Sequence, residues 1–144
     1  MPTHAEKRFL PYTPRQMYDL VVDVQKYPDF LPWCVAARIR TRDETVMVAD
    51  LVIGFKMIRE RYTSRVVMQD GRRLDIAYTD GPFKYLNNHW IFEDAPGGTM
   101  VDFYIDFEFR SKILQSVMGV LFNEAVRAMI GAFEKRARQL YSHP

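Results

Sequence analysis

The stretch T-M-V-D-F-Y-I-D-F-E-F, Thr99–Phe109, alternates apolar and polar side chains along most of its length. Every odd-numbered position from 101 to 109 is apolar, whereas the even-numbered positions between them are acidic or Tyr. Successive side chains of a β-strand point to opposite faces, so this pattern predicts a strand with one buried and one solvated face. Such a strand is typical of an antiparallel sheet that is covered on a single side.

The same period of two continues back along the chain to Cys34. Turn residues separate the alternating segments, for example Asp70-Gly71, Gly81-Pro82 and Pro96-Gly97. The sequence therefore predicts six or seven strands in one antiparallel sheet. The predicted strands are residues 4–10, 34–42, 45–56, 58–69, 72–80, 83–93 and 99–109.

Three helical segments are predicted around these strands. Thr13–Gln16 has the pattern of a capping box with proline in the first turn, which predicts a helix over residues 14–22. A second helical turn is expected over 25–30, because prolines prevent a longer helix there. After the last strand, the apolar period predicts one long helix over 111–141. Its expected apolar stripe is Leu114, Met118, Leu121, Ala125, Met129, Phe133, Ala137 and Leu140, widened in the first half by Ile113, Val117, Val120 and Phe122.

This order of elements predicts an α+β protein with the helix-grip architecture. A curved antiparallel sheet of six to seven strands is expected around a long C-terminal helix, with two short helices after the first strand. The chain has 144 residues, and domains commonly have about 100–150, so a single domain over 1–144 is predicted.

The composition excludes several classes of protein. A net charge of +2, from 20 basic and 18 acidic residues, is too balanced to indicate a dedicated nucleic-acid-binding protein, and no DNA partner is predicted. The single cysteine, Cys34, excludes an internal disulfide, and we expect it to be a buried, unreactive thiol. No run approaches the roughly 20 apolar residues of a membrane span, and no apolar signal core is visible at the N-terminus. We therefore expect a cytoplasmic protein.

No catalytic or metal-binding motif is visible in the sequence. The histidines, His4, His89 and His143, lie far apart and in unrelated contexts. The carboxylates of the last strand share its solvated face, which is the usual place for surface charge. We therefore predict no catalytic residues, no metal site and no cofactor.

The segment Y-P-D-F-L-P-W-C, Tyr27–Cys34, resembles the signature of the coenzyme Q-binding START-like family. This family is also described as polyketide cyclase-like and includes bacterial ribosome-association toxins. The resemblance covers about residues 3–141. Further matching stretches are Gly54–Lys56 with Glu60–Ser64, Gly81–Lys84 with His89–Phe92, Phe107–Phe109 with Ser111 and Leu114, and Ala132–Ala137.

This resemblance implies a non-catalytic protein that binds a hydrophobic ligand, ubiquinone or another polyprenyl quinone, between the sheet and the long helix. It would support respiration or quinone biosynthesis, with peripheral contact at the inner membrane or with respiratory complexes. The proline-framed segment would form a lid, and strand aromatics a wall for the quinone ring. Without the resemblance, ordinary core packing is the simpler explanation of the same side chains. The expected ligand-binding residues are Phe30, Leu31, Trp33, Phe55, Tyr78, Trp90, Phe92, Phe103, Phe107, Val117, Leu121 and Ala125.

Two other functions stay open at this stage. The toxin branch implies an inhibitor of ribosome association that binds the large ribosomal subunit through its surface. Arg38, Arg40 and Arg42 alternate along one predicted strand, and Arg59, Arg61 and Arg65 lie on another, so each trio is expected to point outward. The first trio is the expected basic patch for such a partner. An aromatase or cyclase activity rests on the shared fold alone and has the least support.

Overall fold

A computed structural model describes residues 3–31, 34–55 and 58–141, of which the side chains of Phe55 and Ile58 are not described. A first strand and two short helices are followed by six strands and one long helix. The elements are β1 Thr3–Leu10, α1 Pro14–Val22, a 3₁₀ turn Val24–Lys26, α2 Tyr27–Phe30, β2 Cys34–Arg42, β3 Val46–Phe55, β4 Ile58–Gln69, β5 Arg73–Asp80, β6 Phe83–Ala95, β7 Gly98–Phe109 and α3 Lys112–Tyr141.

The strands form one antiparallel seven-stranded sheet in the order β1-β7-β6-β5-β4-β3-β2. Strands β2 to β7 pair with their neighbours in sequence, and β1 completes the far edge by pairing with β7. The predicted helix-grip architecture is therefore confirmed. The predicted strand ends lie within two residues of the observed ones, and residue 56 of the third predicted strand, 45–56, lies outside the described residues.

Helix α1 begins with the predicted capping box. The Gln16 amide donates to Thr13 Oγ1 at 3.1 Å, and the Thr13 amide donates to Gln16 Oε1 at 2.9 Å. The backbone amides of Thr13 and Gln16, which have no partner within the helix, are thus satisfied. The Tyr18 ring meets Phe92 of β6 edge-on, with ring centroids 5.9 Å apart, so α1 packs on the same side of the sheet as α3.

The turn between β6 and β7 depends on two glycines. Gly97 has a φ of 82°, a left-handed conformation that glycine adopts without steric cost. A Cβ on Gly98 would lie 2.1 Å from the Leu10 carbonyl oxygen, so only glycine allows β1 to approach β7 this closely. These glycines therefore position the edge strand as well as the turn.

Helix α3 crosses one face of the sheet, which we call the inner face; the opposite face is the outer face. Phe122 occupies an inward position, with its ring 5.6 Å from that of Phe107. Ile113 and Val120 are 78% and 83% exposed, so the predicted widening of the inward stripe at these two positions is wrong. Leu140 is also exposed, at 49%. The buried residues of α3 are Met118, Phe122, Val126, Met129, Phe133 and Ala137.

By length and composition, α3 is apolar enough to cross a membrane, which the sequence analysis did not expect. In the folded domain its buried stripe covers the inner face of the sheet. Removing it would expose a row of aromatic residues on β6 and β7, including Trp90 and Phe107. We therefore treat α3 as a core helix with an unusually apolar outer side.

Candidate ligand-binding cavity

A first cavity of about 90 Å³ lies between the inner face of the sheet and the first half of α3. Strands β3, β4, β6 and β7 form its floor, because alternate side chains of each strand point toward the helix. The lining is almost entirely aliphatic and aromatic. It consists of Ile53, Tyr62, Phe83, Leu86, Ile105, Phe107, Phe109, Met118, Phe122, Ala125, Val126 and Met129.

A second cavity of about 90 Å³ adjoins the first and extends toward α2. Five side chains line both cavities: Ile53, Tyr62, Leu86, Ile105 and Met129. The two spaces are therefore separated only by side chains, and we refer to them together as the hollow. The rest of the second lining is Val24, Tyr27, Leu31, Cys34, Leu51, Ser64, Val66, Ile76, Asn88, Trp90 and Phe133.

The size of the hollow limits what it holds without rearrangement. A dry engineered cavity of about 150 Å³ binds benzene, so two adjoining cavities of about 90 Å³ each suit one ring or a short branched chain. Met118 and Met129 project into this space from α3. Methionine is unbranched and flexible, so these side chains allow the hollow to enlarge around a longer ligand.

The hollow is electrically neutral, since neither lining contains an Asp, Glu, Lys, Arg or His side chain among the described residues. Burial raises the pKa of the Tyr62 hydroxyl and that of Tyr27, and it raises the pKa of the Cys34 thiol to about 11. These groups are therefore uncharged at neutral pH. The predicted buried state of Cys34 is confirmed. An uncharged lining favours a neutral apolar ligand, because burying an unpaired charge there is costly.

Helix α2 covers one side of the second cavity. Phe30 and Tyr27 both meet Phe133 of α3 edge-on, with ring centroids 5.3 and 5.5 Å apart. The Arg136 guanidinium lies over the Phe30 ring at 5.4 Å, and the Tyr27 hydroxyl donates to a backbone carbonyl of α1. These contacts fix α2 on the long helix, and Leu31 next to it lines the cavity directly.

The structure places four of the proposed ligand residues in the linings. Phe107 and Ala125 line the first cavity, and Leu31 and Trp90 line the second. Phe103 lines a separate space of about 30 Å³ between β1 and α3, which Trp90 also borders.

The other proposed residues lie around the hollow or outside it. Phe92 packs under α1, and Tyr78 packs its ring edge-on against Phe83 at 5.4 Å. The Tyr78 hydroxyl is buried without a hydrogen-bond partner in the described part of the chain. Val117 and Leu121 are partly buried on α3 and belong to neither lining. Trp33 lies outside the described residues, as does the side chain of Phe55.

The sequence reasoning missed much of the lining on α3. Phe122, Val126, Met129 and Phe133 recur at spacings of four, three and four residues, which is a helical face in its own right. That spacing was the available signal. It was obscured because the first half of α3 is apolar on both sides, so several rotations of the helix fit the pattern.

The described histidines and carboxylates do not converge on the hollow. His4 pairs with Glu6 at 3.0 Å, and His89 stacks on Tyr104 on the outer face, with ring centroids 5.3 Å apart. No group of three or more metal-ligating side chains is found in the described ranges. The described side chains that line the hollow are therefore apolar or neutral polar groups.

The three arginines proposed as a surface patch do not share one face. Asp50 on the outer face accepts hydrogen bonds from Arg40 Nε at 2.6 Å and Arg38 Nη2 at 3.2 Å. A register shift between Ile39 and Thr41 then brings Arg42 opposite the fully buried Met47. Paired residues of antiparallel strands point to the same side, so Arg42 turns toward the inner side. The expected alternation of all three outward is therefore wrong.

A neutral hollow between a curved antiparallel sheet and a long C-terminal helix defines a START-like domain of the ligand-binding type. The chain belongs to the polyketide cyclase / dehydrase and lipid transport family, whose model matches residues 10–134.

Individual relatives carry names for two different functions. The chain is 42% identical over 137 residues to the ribosome association toxin RatA of Rickettsia prowazekii, covering 92% of this chain and 94% of the relative. It is 34% identical over 143 residues to the mitochondrial coenzyme Q-binding protein COQ10 homolog B of Xenopus laevis, covering 96% of this chain and 59% of the relative. The fold is also similar to the solution structure of the 18 kDa protein CC1736 from Caulobacter crescentus, with a TM-score of 0.80 and 37% sequence identity. This match covers 99% of this chain and 100% of the Caulobacter chain.

Proposed function

We propose that this protein is a non-catalytic binder of a neutral hydrophobic ligand, and that the ligand is ubiquinone or another polyprenyl quinone. The observation that carries this proposal is the uncharged hollow between the sheet and α3. The coenzyme Q-binding relative supports the choice of ligand. The role is delivery or chaperoning of the quinone for respiration or quinone biosynthesis, in the cytoplasm and with peripheral contact at the inner membrane.

The ligand residues proposed with most structural support are Leu31, Trp90, Phe107 and Ala125, which line the hollow. Each buried CH₂ contributes about 0.8 kcal/mol, so an isoprenoid chain gains affinity with every unit that leaves water. The hollow is too small for a whole polyprenyl tail, so part of the tail protrudes or lies along the surface. The Tyr78 hydroxyl, buried and unpartnered among the described residues, is the proposed donor to a ligand oxygen that reaches it.

The test is organic extraction of the protein, purified from a quinone-producing host, followed by mass spectrometry of the extract. Ala125→Phe places a ring inside the first cavity, and Val120→Phe adds the same ring on the exposed side of the same helix, where the native side chain is 83% exposed. We expect near-stoichiometric quinone in the wild type and in Val120→Phe, and at least a tenfold loss in Ala125→Phe. Retention of wild-type quinone by a folded Ala125→Phe variant would contradict the proposal.

Association with the large ribosomal subunit is the second candidate function. Its support is the 42% identity to a ribosome association toxin over nearly the whole of both chains. This function requires a surface and not a hollow, so the two proposals predict different variants to be inactive. Co-sedimentation of the wild-type protein with purified large subunits at low salt tests it. Absence of the protein from the subunit fraction at every salt concentration would exclude it.

A further inference from the structure

Strand β4 carries three exposed arginines on the outer face of the sheet. Arg61 pairs with Val52, and Arg65 pairs with Val48, while Thr63 between them pairs with Asp50. Because alternate residues of a strand share a face, Arg59, Arg61 and Arg65 all point away from α3, on the side of Asp50. All three are exposed.

These cations are available to a partner, unlike those of β2. Arg38 and Arg40 are held by Asp50, whose other oxygen accepts from the Thr63 hydroxyl at 2.5 Å. Within the described part of the chain, Arg59 and Arg61 form no ion pair. Backbone amides of Thr45 and Val46 lower the pKa of Asp43, and the charge of Arg65 adds a smaller effect in the same direction.

An open groove of about 290 Å³ runs beside Arg65 on the same face. Ala77 forms its floor, because this small residue stands between Arg65 and Asn87 in one cross-strand row. The next row holds Val67, Asp75, His89 and Tyr104, and the His89 and Tyr104 rings stack at an angle of 20°. Asp75 is bound by Arg73 through two hydrogen bonds of 2.8 and 2.9 Å, which offsets its charge.

The charge of the outer face is divided between its two halves. The β4 half carries the three exposed arginines and one exposed carboxylate, Asp80, which pairs with Thr63. Strand β7 carries the acidic side chains of Asp102, Asp106 and Glu108. A polyanion is therefore attracted to the β4 half and repelled from the β7 half, which fixes its position on the sheet. Arginine matches phosphate through its planar set of donors.

The location of the exposed apolar side chains favours RNA over a lipid surface. Ile113 and Val120, the most exposed large hydrophobic residues, lie on the outer side of α3, across the molecule from β4. A membrane-docking surface needs apolar side chains beside its basic ones. Among the described residues of β4 no large apolar side chain is exposed, and the exposed ones on other strands are Phe9 of β1 and Val35 of β2, at 45% and 44%. Its groove instead presents amide, imidazole and phenol groups, which suit the edge and ring of a nucleobase.

We propose that the β4 face is an RNA-docking surface, in which Arg59, Arg61 and Arg65 contact phosphates and the Ala77 groove takes one unpaired base. This inference rests on the second proposed function, association with the large ribosomal subunit, and names the surface that performs it. Of the two arginine trios expected to point outward from the sequence, the one on β4 takes the place of the β2 patch, because Asp50 pairs with Arg38 and Arg40.

The test compares two triple variants of equal charge change. The first variant removes the three exposed cations of the β4 face: Arg59→Ala/Arg61→Ala/Arg65→Ala. The second removes three exposed cations of α3: Arg127→Ala/Lys135→Ala/Arg138→Ala. Binding to purified large ribosomal subunits and to poly(U) is measured against salt, with circular dichroism to verify folding. We expect the β4 variant alone to lose affinity by about tenfold or more, with a salt slope reduced by about two for three lost phosphate contacts.

A second variant, Ala77→Phe, tests the groove without changing the charge. We expect it to weaken poly(U) binding and leave the salt slope unchanged; unaltered affinity would overturn the base-binding part of the proposal. If the wild type and the β4 variant bind subunits equally well, the assignment of the β4 face is wrong, and the proposed association with the ribosome stands. If the wild type binds neither subunits nor RNA at low salt, both are wrong. A third outcome is that the wild type binds phosphatidylglycerol vesicles but not RNA, and that the β4 variant loses this vesicle binding. That result would assign the surface to lipid and overturn the RNA-docking proposal.

Discussion

The two faces of the sheet are built from the same strands and have opposite physical roles. On the inner face, Phe83 is 2% exposed and its ring contacts four other aromatic rings. The neighbouring residues along each strand point to the outer face, where they form solvent-exposed ion pairs. One example is Lys84–Glu108, in which the Lys84 side chain is 59% exposed. The inner face therefore sets stability and the shape of the hollow, while most of the outer face is free to change and to meet a partner.

The largest effect is expected at the centre of the inner aromatic cluster. Phe83→Ala leaves a space among Tyr62, Tyr78, Phe107 and Phe109, whose ring centroids lie 4.7 to 5.7 Å away. We expect a loss of about 3–5 kcal/mol in the free energy of unfolding, measured by urea denaturation. A loss below about 1 kcal/mol would show that the inner face is loosely packed, and the contrast between the faces would fail.

Asp50 is the exception on the outer face, because its carboxylate is buried and accepts three charged or hydroxyl donors. Asp50→Asn removes the charge and keeps the shape. We expect a loss of about 1.5–3 kcal/mol at pH 7, the range for hydrogen bonds to charged groups. Thr63→Val, which deletes one donor and keeps the charge, is the matched control and should cost less.

The wild type and Asp50→Asn also give a pH test of the buried Asp50 carboxylate. The Thr63 hydroxyl, followed by the two arginines, lowers the pKa of Asp50 to about 2. A carboxyl whose folded pKa lies below its unfolded value stabilises the fold above that unfolded value, near pH 4, and loses this contribution as the pH falls toward 2. The stability difference between wild type and Asp50→Asn should therefore narrow between pH 4 and pH 2. A difference that stays constant over this range would contradict the assignment.

A smaller effect is expected for the ring pair on the outer face. Tyr104→Ala removes the stacking on His89, a contact worth about 0.5–1.5 kcal/mol. Because Tyr104 is only partly buried, the cavity cost that applies to Phe83 is absent. The double variant with His89→Ala isolates the pair by a mutant cycle in urea. A loss as large as that of Phe83→Ala would remove the distinction between the faces.

The smallest effect is expected at an exposed ion pair. Lys84→Ala breaks a contact of 2.9 Å with Glu108, and exposed pairs contribute about 0.2–1 kcal/mol. The difference from wild type should shrink in 1 M NaCl, since salt screens exposed charges. An effect that persists at high salt would show that Lys84 acts through packing of its aliphatic stem.

Local patterns were sufficient for most of the fold. The period of two located the strands, the capping box at Thr13 located α1, and turn glycines such as Gly97 located the hairpins. These signals are readable because each depends on neighbouring residues and on backbone geometry alone. The resemblance at Tyr27–Cys34 added the family, which the match over residues 10–134 confirms.

Positions that depend on contacts between distant elements were not readable in this way. Residues 113–122 of α3 are apolar on two sides of the helix, so the sequence did not show which side faces the sheet. In the structure, Met118 and Phe122 face the sheet and are buried. The register shift in β2 turned Arg42 to the other side of the sheet, although the sequence alternates without interruption. Both of these errors concern the direction of a side chain in an element that was itself correctly predicted.

The sequence by itself determined the order of strands and helices, the family and the apolar, aromatic-rich character of the interior. Only the tertiary structure decided which side chains line the hollow and which arginines remain unpaired on the outer face. The physical reason is that periodicity assigns residues to faces within one element, whereas the lining and the ion pairs depend on which faces meet. Asp50, thirteen residues from Thr63 and ten from Arg40, shows this most directly, because its three partners come from two neighbouring strands.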